Sequence, residues 1–495
     1  MKLSRRECLA GIMILATSGC GGAGAGSSQV GATPSPNTAP PPPSDQGGSS
    51  TTPPINSFKP EDFGAVGDGR TNDTKAFAQM TAAVNAAGGG TIFLRPVTYI
   101  VGGHTTDPTG FWAYAPASIM DFNGCTDLTI LGNGAHLKCA DGLRYGTFDP
   151  ATGLPTNHPP PYLGSGDLAS PYKAMIEVKN CKGKVHIEKL ELDGNLAGLL
   201  IGGERGGGGW QLPAFGLSLL NNVGEEYVIG VHTHHHAEDG LYIDGFPGRT
   251  ASTTVQNLVS EYNGRQGCSI VGGCNYSFID SHFNHSGRAV ISSAPGAGFD
   301  IEAETNPIRN LTFTGCEFSN NSGCGLVADS GDSEGATFSD CQFVGTTAWS
   351  AWPNRPNFKF LGCRFVGAMC HAFGDGDPER ATQFRKCTFS DDPELSPTKQ
   401  VCGPGPIANL GDWDENVTFD GCTVNLKHDL TLPWTVHSVY NNCTMTQASQ
   451  EYGYPRGTYT GVSQIVGVVS LYSSKIVGQL TVNGVVIPPT DFVPG

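Results

Sequence analysis

Apolar and polar residues alternate in short runs along most of the chain, with breaks at Gly, Asn, Asp and Ser every few residues. That period of two predicts strands, and the breaks predict tight turns between them. From residue 310 one phrase recurs: Phe313-Thr314-Gly315-Cys316-Glu317-Phe318, Phe338-Ser339-Asp340-Cys341-Gln342-Phe343, Phe360-Leu361-Gly362-Cys363-Arg364-Phe365 and Phe384-Arg385-Lys386-Cys387-Thr388-Phe389. The cysteines are 25, 22 and 24 residues apart, and weaker copies cover residues 419–424 and 439–445. A fixed period of this size predicts a solenoid, here built of coils of short strands. Stacked at about 4.8 Å, the coils would line up Cys316, Cys341, Cys363, Cys387, Cys422 and Cys443 as one internal ladder of free thiols. Near the start, Ala76, Phe77, Met80 and Val84 keep a helical spacing instead. A helix there, capped by Asn72, Asp73 or Thr74 and ended by Ala86-Ala87-Gly88, would cover the open end of the solenoid.

Composition agrees with turns and strands. Of 495 residues, 69 are Gly, 34 Pro and only 15% charged, which excludes a helical bundle. The formal charge of −16 argues against a nucleic-acid partner. Residues 1–20 carry Arg5-Arg6, an apolar run and Thr17-Ser18-Gly19-Cys20, which resemble a twin-arginine export signal and a lipoprotein cleavage box. Cys8 and Thr17 depart from the usual residues at their positions. Lipidation at Cys20 is expected, placing the protein in the periplasm or on the outer membrane. Residues 21–56 have the composition of a tether, and 57–495 are expected to be one body, a monomer whose closing strands begin near residue 450.

The segment Phe58-Lys59-Pro60-Glu61-Asp62-Phe63-Gly64-Ala65-Val66-Gly67-Asp68-Gly69-Arg70-Thr71-Asn72-Asp73-Thr74, followed by Gly88-Gly89-Gly90-Thr91-Ile92-Phe93-Leu94, resembles the opening of pectate-lyase-superfamily proteins. The resemblance implies an all-β, single-stranded right-handed parallel β-helix with an N-terminal capping helix, and action on a polysaccharide. The Asn-Thr-Asp, Gly-His-Gly and Arg-Ile-Lys motifs of the polygalacturonases are absent, as are the tandem nonapeptide repeats of the epimerases.

In a filled coil only outward residues can meet a large substrate. Aligning coils gives one outward column of Tyr242, Ser269, Asp300, Val327 and Trp352, and a second of Asp244, Val271, Glu302, Asp329 and Asn354, which Asp375 extends after a one-residue slip. Asp300, Glu302 and Glu304 then share one face, where like charges should raise a pKa or attract a cation. Asp300, Glu302, Asp329 and Asp244 are the candidate catalytic carboxylates, favouring glycoside hydrolysis. Asp300 and Glu302 would lie roughly 7 Å apart, and Glu302 and Asp329 roughly 5 Å. The plain alternative is a solvated acidic edge paired with Arg288 or Arg309. Tyr242, His235, His236, Asp239, Trp352, Arg355 and Asp375 are candidate substrate contacts, since aromatics stack on sugars and Arg binds carboxylates. No cofactor is required for hydrolysis. A lyase or epimerase is the alternative, with Tyr242, a histidine of 234–236 or Arg288 as base and Ca2+ on Asp300, Glu302 and Glu304. A glycan-binding protein without turnover is the third reading. The run His232-Thr233-His234-His235-His236 shows no standard zinc spacing.

Overall fold

The computed structural model describes residues 56–104, 117–149, 151–156, 168–203 and 212–493. The expected export signal, Cys20 and the expected tether up to residue 55 lie outside them. Asn56–Gly495 form one compact unit, in which three short strands per turn build a long parallel β-helix.

Each coil contributes one strand to each of three faces. The first face runs through Ala174–Lys179, Phe215–Leu220, Leu241–Asp244 and Ala351–Pro353 to Ala408–Gly411. The second includes Glu226–Ile229, Thr253–Gln256 and Phe358–Leu361. The third includes His232–His234, Val259–Glu261, His282–Asn284 and Glu317–Ser319. Cys268–Ile279, Phe299–Thr314 and Leu326–Ser339 cross from the first face to the second without a break, bending at register shifts. Pairing along all three faces is parallel, and an antiparallel hairpin of Gln479–Val482 with Val485–Ile487 closes the far end.

The repeated phrase fills the tube as expected. Phe278, Phe313, Phe338, Phe360, Phe384, Phe419, Tyr440 and Tyr459 form one stack of rings, neighbouring centroids 4.4 to 5.1 Å apart. Phe283, Phe318, Phe343, Phe365 and Phe389 form a second, 4.8 to 5.5 Å apart. All six cysteines of the predicted ladder are buried and free, and their thiols donate to core carbonyls such as Phe338 O from Cys363 at 3.3 Å. The residue before each ladder cysteine turns in the left-handed region, and five of the six are Gly, Asp or Asn (Gly315, Asp340, Gly362, Gly421 and Asn442), with Lys386 the exception. Such a φ is costly for most L-residues and cheap for Gly, Asn and Asp.

The helix spans Thr74–Ala86 and buries Ala76, Phe77, Met80, Thr81 and Val84 against the first coil. Asp73 occupies the N-cap position without capping. Its carboxylate instead accepts from Val66 N and Gly67 N at 2.7 and 3.1 Å, pinning the Gly-rich loop, while Asn72 Oδ1 takes Thr74 N.

Candidate active site

The first outward column stands as aligned. Tyr242, Ser269, Asp300, Val327 and Trp352 are consecutive cross-coil partners on the first face. Phe299 takes its place because the coil before it carries a longer turn, residues 285–298. The second column is corrected by one residue: Asp244 pairs with Gly272 and Glu302 with Ser330, at register shifts beside Ile243 and Asp300. Val271 is buried in consequence, and Asp329 sits one residue short of Glu302's partner. Bulges of this kind re-aim side chains. Asp375 does not extend the column. It lies in a later turn, where it accepts from Asp377 N and pairs with Arg380 at 3.2 Å, and these contacts hold its carboxyl below the usual range.

Around the acidic strand the carboxylates converge on one cation. Arg265 Nη2 is 3.3 Å from Glu302 Oε2, and its Nη1 is 3.6 Å from Asp239 Oδ2 and 3.7 Å from Glu238 Oε1. Burial opposes that charge, yet Asp239, Glu302, Glu238 and Asp300 together raise the guanidinium pKa. Arg288 is bound instead to Asn320 O, Asn321 O, Thr346 and Thr347, and Arg309 to Asp332, so neither neutralises the strand.

Asp300 is 1% exposed. Gln266 Nε2 donates to its Oδ2 at 2.6 Å, and Oδ1 has no partner. Burial first, then the charge of Glu302, push the Asp300 carboxyl well above its ordinary value. Asp239, expected as a substrate contact, is corrected: it is fully buried, accepts from Ser269 Oγ at 2.6 Å, and is pushed by burial up to about 6 against the pull of Arg265. Burial and the charge of Asp239 also raise Glu238. Asp329 and Asp244 are half-buried and raised by desolvation; Asp244 accepts from Thr305 Oγ1 at 2.5 Å.

Arg265, Gln266 and Glu238 were not among the expected site residues. A signal for them existed: Arg265-Gln266 precede Cys268 by the same offsets at which Glu238-Asp239 precede Leu241. The two pairs are stacked turns of adjacent coils, with Arg265 N bonded to Glu238 O at 3.1 Å.

Other expected contacts divide. Tyr242 is half-buried with its ring 4.8 Å from Phe215, and burial and the charges of Asp244 and Asp239 raise its phenol. Trp352 lies between Trp349 and His371, each 5.3 Å away, with Nε1 buried and unpartnered. Arg355 Nη2 donates to Asp329 O. His236 is corrected: it is fully buried, bonded to Tyr172 Oη at 2.8 Å and Leu192 O at 3.1 Å, and cannot touch a substrate. His235 belongs to the turn leaving the third face, stacked on Tyr262 at 5.3 Å. Asp300, Glu302 and Glu304 do not gather their oxygens within 4.8 Å of one another, as a common cation would require; among the described residues two histidine-containing groups do. A depression of about 410 Å³ between Arg309, Glu334 and Lys359 belongs to the second face and contains none of these carboxylates.

Further along the first face, Asn409, Trp434 and Tyr454 continue the outward column as cross-coil partners. Trp434 and Tyr454 are exposed, Tyr452 stacks beside Tyr454 at 6.3 Å, and Arg456 lies 5.0 Å over the Tyr454 ring.

No family model and no curated protein matches this chain. Among solved structures, the N-terminal fragment of bacteriophage phi29 gene product 12 is similar over 88% of this chain and 74% of that one, with a TM-score of 0.52 and 14% identity. The chain shares its fold: a right-handed parallel β-helix. The A-module of Azotobacter vinelandii mannuronan C-5 epimerase AlgE6 aligns over 88% of this chain and 100% of that one, at TM-score 0.42 and 15% identity.

Proposed function

We propose that the first face hydrolyses a glycosidic bond of a polysaccharide, with Asp300 and Glu302 as the proton-handling pair. The observation that carries this reading is a buried Asp300, kept protonated by that burial, on the same strand as Glu302, which Arg265 anchors at 3.3 Å. A departing sugar oxygen needs a proton in the transition state, and a carboxylic acid held protonated at neutral pH can supply it. Glu302 is the less buried of the two and is anchored by Arg265, so it meets the glycosidic oxygen, with Asp300 as the protonated reserve on the same strand. Asp329 on the following coil is the second carboxylate, with Asp244 two coils upstream as the other candidate. A carboxylate separation near 5 Å would give retention and a wider one inversion.

Tyr242, Trp352 and Arg355 would hold the sugars beside the bond that breaks. Trp434 and Tyr454 stand five and six coils beyond Asp300, about 25 Å along the same face, so the reading includes a polymer lying lengthwise on it. The resemblance of residues 58–94 to the pectate-lyase superfamily agrees with a polysaccharide substrate. The lyase alternative is the weaker reading because Tyr242 is held protonated, His236 is enclosed, Arg288 is tied to carbonyls, and His234 and His235 belong to the third face and the turn leaving it rather than to the first face. Export and lipidation at Cys20 join the proposal as the enzyme's address.

A digestion screen of neutral and uronate polysaccharides tests it. New reducing ends without absorbance near 235 nm are expected, together with their loss in Glu302→Gln at nearly unchanged thermal stability. Unsaturated products would replace hydrolysis by elimination, and binding without cleavage would leave a glycan-binding protein.

A further inference from the structure

The histidine run is not used by the acidic site, and its surroundings are chemically unusual. On the third face His232 pairs with Glu191, and His234 with both Asp193 and Glu261. One coil earlier His136 pairs with Glu191. Imidazoles and carboxylates therefore alternate from coil to coil at the strand spacing, a juxtaposition that linear ligand spacing cannot reveal.

We propose that Asp193, His234 and His235 bind one zinc-class dication, with Glu191 as the group that orients His234. Their ligand atoms lie within 4.8 Å of one another. His234 Nδ1 is 2.7 Å from His235 Nδ1 and 3.7 Å from Asp193 Oδ1, close to the roughly 3.4 Å that tetrahedral bonds of about 2.0–2.2 Å set between ligands. Neighbouring histidines on a strand would point to opposite sides. Here the left-handed turn at His235, φ 55°, swings its ring back toward His234.

The tautomers suit a metal. His234 Nε2 is 3.1 Å from Glu191 Oε1, and donation of an Nε2–H to that carboxylate leaves the Nδ1 lone pair facing Asp193 and His235. A carboxylate behind a ligating imidazole is the usual way such a ring is oriented. The two facing Nδ1 atoms can share only one proton, and a dication would replace it. His136 supplies an independent sign of a charge-binding locus. Its Nε2 is desolvated and lacks a hydrogen-bond partner, 3.5 Å from Asp193 Oδ2 and 3.7 Å from Glu191 Oε1.

The ion would join two successive coils, since Asp193 belongs to the strand Val185–Asp193 and the histidines to the next coil. It would also brace the turn of residues 235–240, which carries Glu238 and Asp239 into the acidic site. Three protein ligands leave the fourth position to water. This assignment does not depend on the hydrolase reading.

The test uses the intact purified protein, stripped with chelator and titrated with ZnCl2 by calorimetry, with bound metal counted by mass spectrometry. One equivalent of zinc and a rise in unfolding temperature are expected, with no response to MgCl2. His235→Asn is the informative variant, because Asn occupies the equivalent turn in other coils, as Asn195 and Asn320, at φ 49° and 55°. It should fold, lose stoichiometric zinc and lose the temperature rise. Glu191→Gln should weaken binding 10- to 100-fold. Absence of stoichiometric zinc in the parent protein overturns the proposal. So does unchanged binding in His235→Asn, or loss of binding in Glu302→Gln, which would move the ion to the acidic strand.

Discussion

Arg265 Nη2 stands 3.3 Å from Glu302 Oε2, the closest of its three carboxylate contacts, while the same side chain reaches Glu238 and Asp239 on the preceding turn. One cation thus serves carboxylates from the coils on either side of its own. Its removal would leave several buried charges without a partner, which typically costs about 3–5 kcal/mol. Arg265→Met should therefore destabilise strongly, and the loss should depend on pH. Without the guanidinium, Asp239 rises further above its present value of about 6. A carboxyl raised in the folded state loses stability as pH climbs from its unfolded value through its folded one. Urea unfolding of Arg265→Met should show its largest deficit at pH 8 and a smaller one at pH 5. A deficit equal at both would mean that the arginine acts by packing alone.

The fold was legible because a solenoid repeats its information. Each Phe-x-x-Cys-x-Phe phrase names the same inward positions, and the coils line them up whatever the turns contain. The outward column through Tyr242, Asp300 and Trp352 followed from those inward anchors. The second column did not, because the register shifts beside Ile243 and Asp300 come from backbone bending that period-two patterning cannot express. Arg265 was hidden for a related reason: it belongs to a turn, and only the stacking of that turn on Glu238-Asp239 gives it a role. His236 misled because a histidine beside an acidic turn reads as exposed, whereas Tyr172 Oη and Leu192 O satisfy both its nitrogens inside the tube.

That burial makes His236 a reporter of acid sensitivity. Desolvation pushes its pKa down to about 3, so the folded protein keeps the ring neutral where the unfolded chain protonates it. Stability then falls as pH drops below 6.5 toward 3, by up to about 1.4 kcal/mol per unit from this one group. Carboxyls such as Asp300 and Glu238, raised by burial, act in the opposite sense. The difference between parent and His236→Gln isolates the histidine. The parent should lose more stability than the variant between pH 6.5 and 4, and parallel curves would show that the ring titrates normally.

Trp434 and Tyr454 make a separate prediction about chain length. Each exposed ring can contribute about 0.5–1.5 kcal/mol by stacking, and both are some five coils from the reacting bond. Trp434→Ala with Tyr454→Ala should lower kcat/KM on a long polymer roughly 10-fold and leave a tetrasaccharide unaffected. An equal effect on both substrates would place the rings outside the binding path.

The thiol ladder and the proposed anchor can be read in one mass spectrum. The described residues include fourteen cysteines outside any disulfide, thirteen of them buried, with Cys402 half-buried. The two others among the 16 are Cys8 and Cys20. Buried thiols are inert toward alkylating reagent until the fold opens. Under native conditions at most Cys402 should label, and in denaturant without reductant all fourteen should. If Cys8 is removed with the signal and the Cys20 sulfur carries lipid, the count stops there and the mass includes a diacylglyceryl group. Fewer adducts would reveal disulfides between neighbouring coils, and fifteen adducts without lipid mass would mean that Cys20 stays in the mature protein unacylated.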